Sequence, residues 1–393
     1  MMIQYPKLTI SDRLNQQRER LPLADLQETF KESWTVNEKW QVTFAITDSL
    51  VYEQAIKLLD VQNIVHYDGQ SYVITQCAKT VSGGLSVYEV TASHLFYRLA
   101  NNVRQNNVKT GTLTYGLTDA VNFMIANNDQ GITANFVGDF PKIQIENLGN
   151  SSFSKFLQDY TSKFDASYTI DNQQITFYSA TYLKQQPVID TLFYQHDVEN
   201  VKLSLDTTSL VNEVHCLGKP IDQGSGTNNS QTKYQVDFIY RDDDSVKKWG
   251  LQRGDPLSDE RFTDQESMTE YARQTVQAQP IATLTTTAWD VVIRQCETVK
   301  LIMPNLDWQT NIALNSYERN PFNQFSLPTI TFDNASLAVN DINVAMFKHI
   351  TNAHDTVGKT MTQLQATLGD LQDGDLITDD DTIDKLNELG EIS

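Results

Sequence analysis

The sequence has few cysteines, few basic residues for its size and no long apolar run. Its three cysteines, Cys77, Cys216 and Cys296, are far apart and form no CxxC pair, which excludes a zinc knuckle and a disulfide framework. Thirty lysines and arginines against fifty aspartates and glutamates leave a formal net charge of −20. The longest basic cluster, Lys247-Lys248, closely follows three aspartates. Phosphate backbones and anionic lipids repel such a chain, so we expect no stable nucleic-acid partner.

Signals for export and membrane insertion are also missing. The amino-terminal residues lack the apolar stretch of a signal peptide, and no run approaches the roughly 18 apolar residues that a membrane helix needs. We therefore expect a protein assembled in the cytoplasm without a membrane anchor. Hydrophobic residues make up 40% of the chain, enough to build packed cores, and 393 residues predict more than one domain.

Hydrophobic periodicity predicts a mainly β protein of the α+β class, in four segments. The segments are a first β domain over residues 1–105, an α+β domain over 106–198, a second β domain over 199–335 with a helical insertion at about 240–282, and a C-terminal helix with an acidic tail over 336–393. Within the first, Trp40, Val42, Phe44 and Ile46 alternate as in a half-buried strand. Asp68-Gly69 between two β-rich runs predicts a type I′ hairpin turn.

Helices are predicted where the apolar spacing changes to three and four. Thr91 is the predicted cap of a short helix that follows the first strands, and Thr118 of a helix that begins near Leu117. A further helix is predicted to follow Asn150 or Ser151. The predicted turn of the next hairpin is Asp171-Asn172, and Thr263 with Glu266 forms a predicted capping box for a helix that ends before Pro280.

The C-terminal segment carries a heptad-like seam with one extra step of four. Its members are Met346, Ile350, Ala353, Val357, Met361, Leu364, Leu368 and Leu371. Because the helix has no second apolar stripe, it most easily buries this seam against copies of itself, which predicts an oligomer. The alternative is a helix docked on its own subunit.

Patterns for catalysis, cofactors and metals are absent. The sequence contains no HExxH, no HxH and no GxSxG, and Gly218-Lys219 lacks the upstream glycine of a phosphate loop. The histidines His66, His94, His196, His215, His349 and His354 are predicted to pack, cap or lie at interfaces. Acidic stretches at 242–244 and 373–381 are read as solvated loops, with calcium binding as the alternative. A carboxylate pair for sugar hydrolysis stays open, because three-dimensional distance defines it. We expect no cofactor and no enzymatic activity.

Four stretches, in this order, resemble one family. They are NIVHYDGQSYVI, VYEVTASHLFYRL, VKLSLDTTSLVNEVHCLGK and CETVKLIMPNLDWQTNIALNSYERNPF, the last with Cys-Glu where Gly-Asp is common. Over most of residues 30 to 335 the chain resembles the N-terminal hub region of the tail-associated proteins (Tal) of siphophages and prophages. These are also called phage minor structural proteins or prophage endopeptidase tail proteins, and they are similar to the baseplate hub of contractile-tailed phages.

The resemblance implies two tail-tube-like β-barrel domains and a ring of three chains. It further implies a structural hub at the virion tail tip: a homotrimer that closes the tail tube, docks on the distal tail protein and leads to a tail fibre or receptor-binding protein. The tape measure protein and DNA would pass through it in transit. Peptidoglycan hydrolysis, where the family has it, belongs to a C-terminal extension, and this chain stops soon after its helix. The alternatives are a cell-wall hydrolase and a carbohydrate-binding tail protein, the latter suggested by Trp34, Trp40, Trp249, Trp289 and Trp308.

Overall fold

The computed structural model describes residues 7–194, 196–221, 233–288, 294–303, 308–323 and 325–333. These residues belong almost entirely to one compact unit, which spans residues 1–303 and 309–337. A second unit, 304–308 and 338–393, is outside the described residues except for Trp308.

Strands dominate this part of the chain. They are β1 (Leu8–Ser11), β2 (Arg18–Arg20), β3 (Lys31–Thr35), β4 (Lys39–Thr47), β5 (Ile64–Tyr67), β6 (Gln70–Ser82), β7 (Leu85–His94), β8 (Arg104–Tyr115), β9 (Thr133–Val137), β10 (Ile143–Ser152), β11 (Ala166–Asp171), β12 (Gln174–Ser179), β13 (Thr191–Phe193), β14 (Val198–Asp206), β15 (Glu213–Leu217), β16 (Asp237–Arg241), β17 (Leu257–Ser258), β18 (Ile281–Ala288), β19 (Thr298–Met303), β20 (Trp308–Arg319) and β21 (Thr329–Asp333). The helices are α1 (Leu23–Thr29), α2 (Glu53–Lys57), α3 (Leu95–Asn102), α4 (Leu117–Met124), α5 (Phe153–Tyr160), α6 (Ala180–Gln185), α7 (Asp243–Trp249) and α8 (Gln265–Thr275), with 3₁₀ turns at Leu50–Tyr52 and Ser162–Phe164.

One sheet of 13 strands runs through the unit and joins the beginning of the chain to its later part. Its main path is β14-β18-β21-β20-β3-β4-β7-β6-β5-β1-β2, with β19 added beside β20 and β13 beside β19. The link between the two halves is the antiparallel pair β3–β20, in which Glu32 lies opposite Arg319 and Trp34 opposite Tyr317. Among the described residues this path is open and does not close into a barrel.

The first β region, residues 8–94, follows the predicted alternation. Val42, Phe44 and Ile46 point into one core, while their neighbours in β4 lie on the other face. The turn between β5 and β6 has Asp68 at φ 49° and Gly69 at φ 75°, as a type I′ turn requires. This hairpin is therefore built as the sequence predicts.

The middle region, residues 95–185, packs α3, α4 and α5 around a second core. Beside the helices lie the two-stranded ribbon β8–β10 and the three-stranded sheet β11-β12-β9. The buried face of α4 carries Leu117, Ala120, Val121 and Met124, as its apolar spacing predicts. The cap of α5 is Ser152, one residue beyond the predicted candidates Asn150 and Ser151, and its hydroxyl accepts from the Lys155 N–H.

The predicted caps of other helices were wrong by a few residues. Thr91 lies within β7, and α3 is capped by the His94 imidazole instead. Gly116 rather than Thr118 precedes α4, and Asp264 rather than Thr263 caps α8, which ends at Thr275. Extended backbone continues past Thr91 to His94 and past Thr263 to Asp264, whereas α4 begins before Thr118.

A small region with its own core is inserted between β14 and β18. The strands β16, β15 and β17 form its sheet, and α8 covers one face with Met268 and Ala272. The aspartate run at 242–244 begins α7, where the Asp242 carboxylate accepts from the Ser245 N–H. The run therefore supplies a helix cap rather than the predicted loop.

The structure confirms a mainly β protein of the α+β class. That the chain contains two tail-tube-like barrel domains remains a prediction. No helix in the described ranges is long and apolar enough to cross a membrane.

Candidate functional site

The sequence predicts one site, the C-terminal seam. All eight seam residues, from Met346 to Leu371, are outside the described residues. Their role in self-association therefore remains a prediction. In the described residues, two groups of side-chain contacts lie where regions of the chain meet.

One such contact surrounds the Glu32 carboxylate, the only buried acidic side chain of the described ranges. Its side chain is 1% exposed and accepts four hydrogen bonds. Arg319 Nε donates to Oε2 at 2.8 Å, and Tyr67 Oη donates to the same oxygen at 3.3 Å. Oε1 accepts from Tyr317 Oη at 2.9 Å and from Trp40 Nε1 at 3.0 Å. We call these five residues the Glu32 cluster.

The electrostatics of the cluster favour an ionised pair. Burial, followed by the nearby Glu32 charge, raises the pKa of both Tyr67 and Tyr317, so both phenols remain protonated donors. Burial, the largest single effect, lowers the pKa of Arg319, but the charge and hydrogen bond of Glu32 together with Tyr317 and Tyr67 outweigh it, and the net pKa is raised. With a guanidinium and three neutral donors, the carboxylate is satisfied without solvent. It is enclosed and fully engaged, which suits a structural role rather than acid–base chemistry on a substrate.

A second contact joins the first β region to the middle region through side-chain amides. Asn37, in the β3–β4 turn at φ 57°, donates from Nδ2 to the Ala166 carbonyl at 2.8 Å and accepts at Oδ1 from the Tyr168 N–H at 3.0 Å. The Asn37 side-chain amide bonds to the residues on either side of Ser167, which is the pair of hydrogen bonds that the backbone of a neighbouring parallel strand would make. The Asn37 amide thus completes the edge of β11.

Gln70 forms the other half of this contact, just after the Asp68-Gly69 turn. Its Oε1 accepts from the Asn172 N–H at 2.9 Å, and its Nε2 donates to Asp171 Oδ1 at 3.0 Å. His94 Nε2 also donates to Gln70 Oε1, at 3.1 Å. We call Asn37, Gln70, His94, Asp171 and Asn172 the polar junction.

His94 is the buried member of the polar junction and is a neutral imidazole. It is fully buried, and burial lowers its pKa to about 3 although Asp171 opposes the shift. Its Nδ1 accepts from the Phe96 N–H at 3.3 Å, so the proton belongs on Nε2, where Gln70 accepts it. The Trp40 ring stacks on it at 4.6 Å and 2°. Since Trp40 also donates to Glu32, one indole connects the two contacts.

The glycine pairs named from sequence have structural explanations. Gly218 lies where a Cβ would be 2.5 Å from the Phe262 carbonyl oxygen and 2.8 Å from Val236 Cβ. Its N–H donates to the Val236 carbonyl, and the Lys219 N–H donates to the Phe262 carbonyl. The Gly-Lys pair is therefore a place of close backbone packing rather than a phosphate loop.

The remaining candidate side chains are spread over the molecule. His66 lies between Ser11 Oγ at 2.9 Å and Ser71 Oγ at 3.2 Å, and His215 contacts Asp237 Oδ1 at 2.6 Å on the exposed face of the inserted sheet. Trp34 is 3% exposed and stacks on Tyr317, which leaves no face for a sugar. Within the described ranges, no three His, Cys, Asp or Glu side chains are grouped to hold a metal ion.

Sequence reasoning missed both contacts, although weak signals exist. Period two places Glu32 on the same face as the apolar Trp34, and a carboxylate there needs buried partners. Gln70 follows Asp68-Gly69 in the stretch NIVHYDGQSYVI, but the turn signal rests on those two residues and indicates no contact for Gln70. The partners Arg319, Asp171 and Asn172 are about 100 to 290 residues away in sequence, and no local pattern names them.

Comparison with known families gives three consecutive matches. The prophage endopeptidase tail N-terminal domain matches residues 8–94, the prophage endopeptidase tail domain 102–177, and the prophage endopeptidase tail model 185–343. No curated protein sequence matches significantly.

Solved structures share the fold over most of the chain. The prophage tail protein gp18 of Listeria monocytogenes EGD-e is 22% identical with a TM-score of 0.60, covering 88% of this chain and 99% of its own. A tail protein of Neisseria meningitidis MC58 is 13% identical (TM-score 0.55; 84% and 97% covered). The 43 kDa tail protein of prophage MuSo2 from Shewanella oneidensis is 11% identical (TM-score 0.54; 83% and 98% covered).

The fold and the ordered matches define a phage tail protein. The chain belongs to the prophage endopeptidase tail family, as its resemblance to the hub region of Tal proteins implies.

Proposed function

We propose that the chain is a structural hub at the tip of a phage tail. Three copies form a ring that closes the tail tube, dock on the distal tail protein and lead to a tail fibre or receptor-binding protein. The tape measure protein and DNA pass through in transit, and the ring is assembled in the host cytoplasm and resides in the virion. No enzymatic step is part of this role.

The observation that carries the proposal is the order of the three family matches along one chain. The matches change between residues 94 and 102 and between 177 and 185, which supports three consecutive domains. The proposal keeps the division expected from sequence, with boundaries near residues 105, 198 and 335 and two tube-like β domains around the α+β domain. The Glu32 cluster supports a scaffold role, because it ties the first β region to the late strand β20 through a buried, fully bonded pair. A body joined in this way transmits load through one sheet.

Self-association is assigned to the C-terminal seam and is tested by mass in solution. Light scattering of the full chain should give a molar mass three times the 44.6 kDa of a single chain. Replacing Leu364 and Leu368 with glutamate puts two charges into the seam and should yield monomer. The matched control, Gln363→Glu with Thr367→Glu, adds the same charge beside the seam and should stay trimeric. A wild-type monomer, alone and with the distal tail protein, would contradict the proposal.

Cell-wall hydrolysis is the second candidate, because the family description contains the word endopeptidase. Zymography of the recombinant chain on purified cell wall separates the two roles. The hub proposal expects no clearing. Clearing that disappears after one Asp or Glu substitution, with the fold intact, would favour the enzyme. Retention of the chain on wall glycan without clearing would favour the carbohydrate-binding alternative.

A further inference from the structure

The first β region and the middle region have separate cores. Phe30, Phe44, Tyr67, Tyr72 and Phe322 lie in the core of the first region. The large side chains of the middle core are Phe96, Phe153, Phe156, Phe164 and Phe177. Among the described residues, Trp40 is the side chain that packs against both. The apolar contact between the two regions therefore centres on Trp40 and on the His94 and Tyr72 rings packed against it.

The side-chain hydrogen bonds between the two regions are those of Gln70 and Asn37 and one from Arg98 Nη1 to Gln62 Oε1 at 3.3 Å. The Gln70 bonds to Asp171 and Asn172 are exposed to solvent, and the Asn37 bonds to β11 are half-buried. Each of these groups can exchange its protein partner for water. Interfaces that are small and polar allow neighbouring domains to move relative to each other.

The chain connections also suit such a movement. β7 ends at His94 and α3 begins at Leu95, so the regions meet at one peptide bond. His94 caps α3 from its own side chain, and this cap is local and survives separation. On the far side, the chain leaves α6 at Gln185 and reaches β13 at Thr191 through a short extended segment.

We infer that the polar junction is a latch, which holds the middle region against the first β region and can release it as a folded body. Gln70 is the central residue of the latch, because its amide joins His94 below to the β11–β12 turn above. Asn37, in the β3–β4 turn, is the second residue of the latch and bonds to the start of β11. The Cys296 thiol, which precedes β19 and lies outside both regions, makes a separate weak contact to the Tyr168 carbonyl at 3.5 Å. This inference concerns the fold and does not depend on the proposed hub role.

Two variants open the latch with little change elsewhere. Gln70→Ala removes the central amide, and Asn37→Gly removes the second while still allowing a positive φ. The matched controls are Gln76→Ala, an exposed glutamine on the same strand, and Asn15→Gly, at φ 55° in the β1–β2 turn. Asn15 has no side-chain hydrogen bond within the described ranges, so its replacement reports only the backbone effect of glycine.

Hydrogen exchange of the full-length chain tests the inference. Exchange of the Tyr168 N–H in Asn37→Gly, and of the Asn172 N–H in Gln70→Ala, should rise about tenfold. The amides of β4 and of β12 should remain protected, including in the double variant, and small-angle scattering should show a larger radius. The control variants should change none of these values.

Two outcomes would overturn the inference. Unchanged exchange at Tyr168 and Asn172 would show that the amides hold nothing. Loss of protection in β4 and β12 together would show that the two regions are one cooperative body. If the double variant fails to fold, Gln70→Glu decides. It keeps the acceptor for the Asn172 N–H but opposes Asp171. The protection factor of Asn172, which is corrected for the intrinsic rise of exchange with pH, should therefore fall relative to wild type only where the new carboxylate is ionised, and an unchanged protection factor across this pH range would contradict the latch.

Discussion

Replacing Glu32 with glutamine tests whether the buried pair joins the two halves of the sheet. The change keeps the shape of the side chain but leaves the Arg319 guanidinium without a counter-charge in a site where Glu32 is 1% and Arg319 30% exposed. Breaking a buried ion pair from one side costs about 3–5 kcal/mol, and the partial exposure of Arg319 places the expected loss near the lower bound, about 3 kcal/mol. Breaking the exposed pair of Lys31 and Glu318 on the same two strands should cost only about 0.5 kcal/mol.

The same two strands offer the control. Lys31 and Glu318 pair at 2.9 Å with side chains 58% and 49% exposed. Urea unfolding at pH 7, followed by tryptophan fluorescence, compares Glu32→Gln with Glu318→Gln. A double variant, Glu32→Gln with Arg319→Met, should recover part of the loss because no buried charge is left alone. Equal destabilisation by Glu32→Gln and Glu318→Gln would refute the reasoning.

Three further predictions follow from burial and packing. His94 has a folded-state pKa of about 3, below its unfolded value of about 6.5. Its contribution to stability is therefore complete above pH 6.5 and is lost as the pH falls towards 3, by at most about 1.4 kcal/mol per pH unit. Urea unfolding of His94→Gln should show a shallower acid dependence than wild type, and identical slopes would exclude His94 as the cause. Gly218→Ala should lower the free energy of unfolding by about 1–3 kcal/mol, because the new Cβ meets the Phe262 carbonyl at 2.5 Å, whereas Gly116→Ala, with its nearest neighbour at 3.8 Å, should cost little in the same urea assay. Burial raises the pKa of the Cys296 thiol to about 12, and Cys216 is fully buried. A thiol reagent at pH 8 should therefore modify at most Cys77 in the folded chain and all three cysteines in urea. Rapid modification of the folded Cys77→Ser variant would contradict this.

The local architecture was largely predictable from sequence. Alternation in β4, the Asp-Gly turn and the buried face of α4 all follow from patterns within a dozen residues, and the structure contains them. Helix caps were less predictable, because a histidine three positions away or an aspartate one position away serves as well as the expected threonine. These errors move an element boundary without changing the fold.

Long-range contacts were beyond such patterns. A local pattern carries no information about which strand pairs with β3, so the 285 residues between Glu32 and Tyr317 hid the Glu32 cluster. The junction of Asn37 with β11 was hidden for the same reason, since a side-chain amide that replaces a strand leaves no periodic signature. The family resemblance supplied the global order, and the contacts that hold this order together required the structure.

We propose that three copies of this chain form a ring on the axis of a phage tail, at its tip. Electron cryomicroscopy of the particle that carries the chain would show the copy number and position. We expect density for three copies around the tube at the end far from the capsid, with the sheet of each copy unbroken at the β3–β20 pair. A single copy, or copies placed along the tube wall or away from its axis, would contradict it.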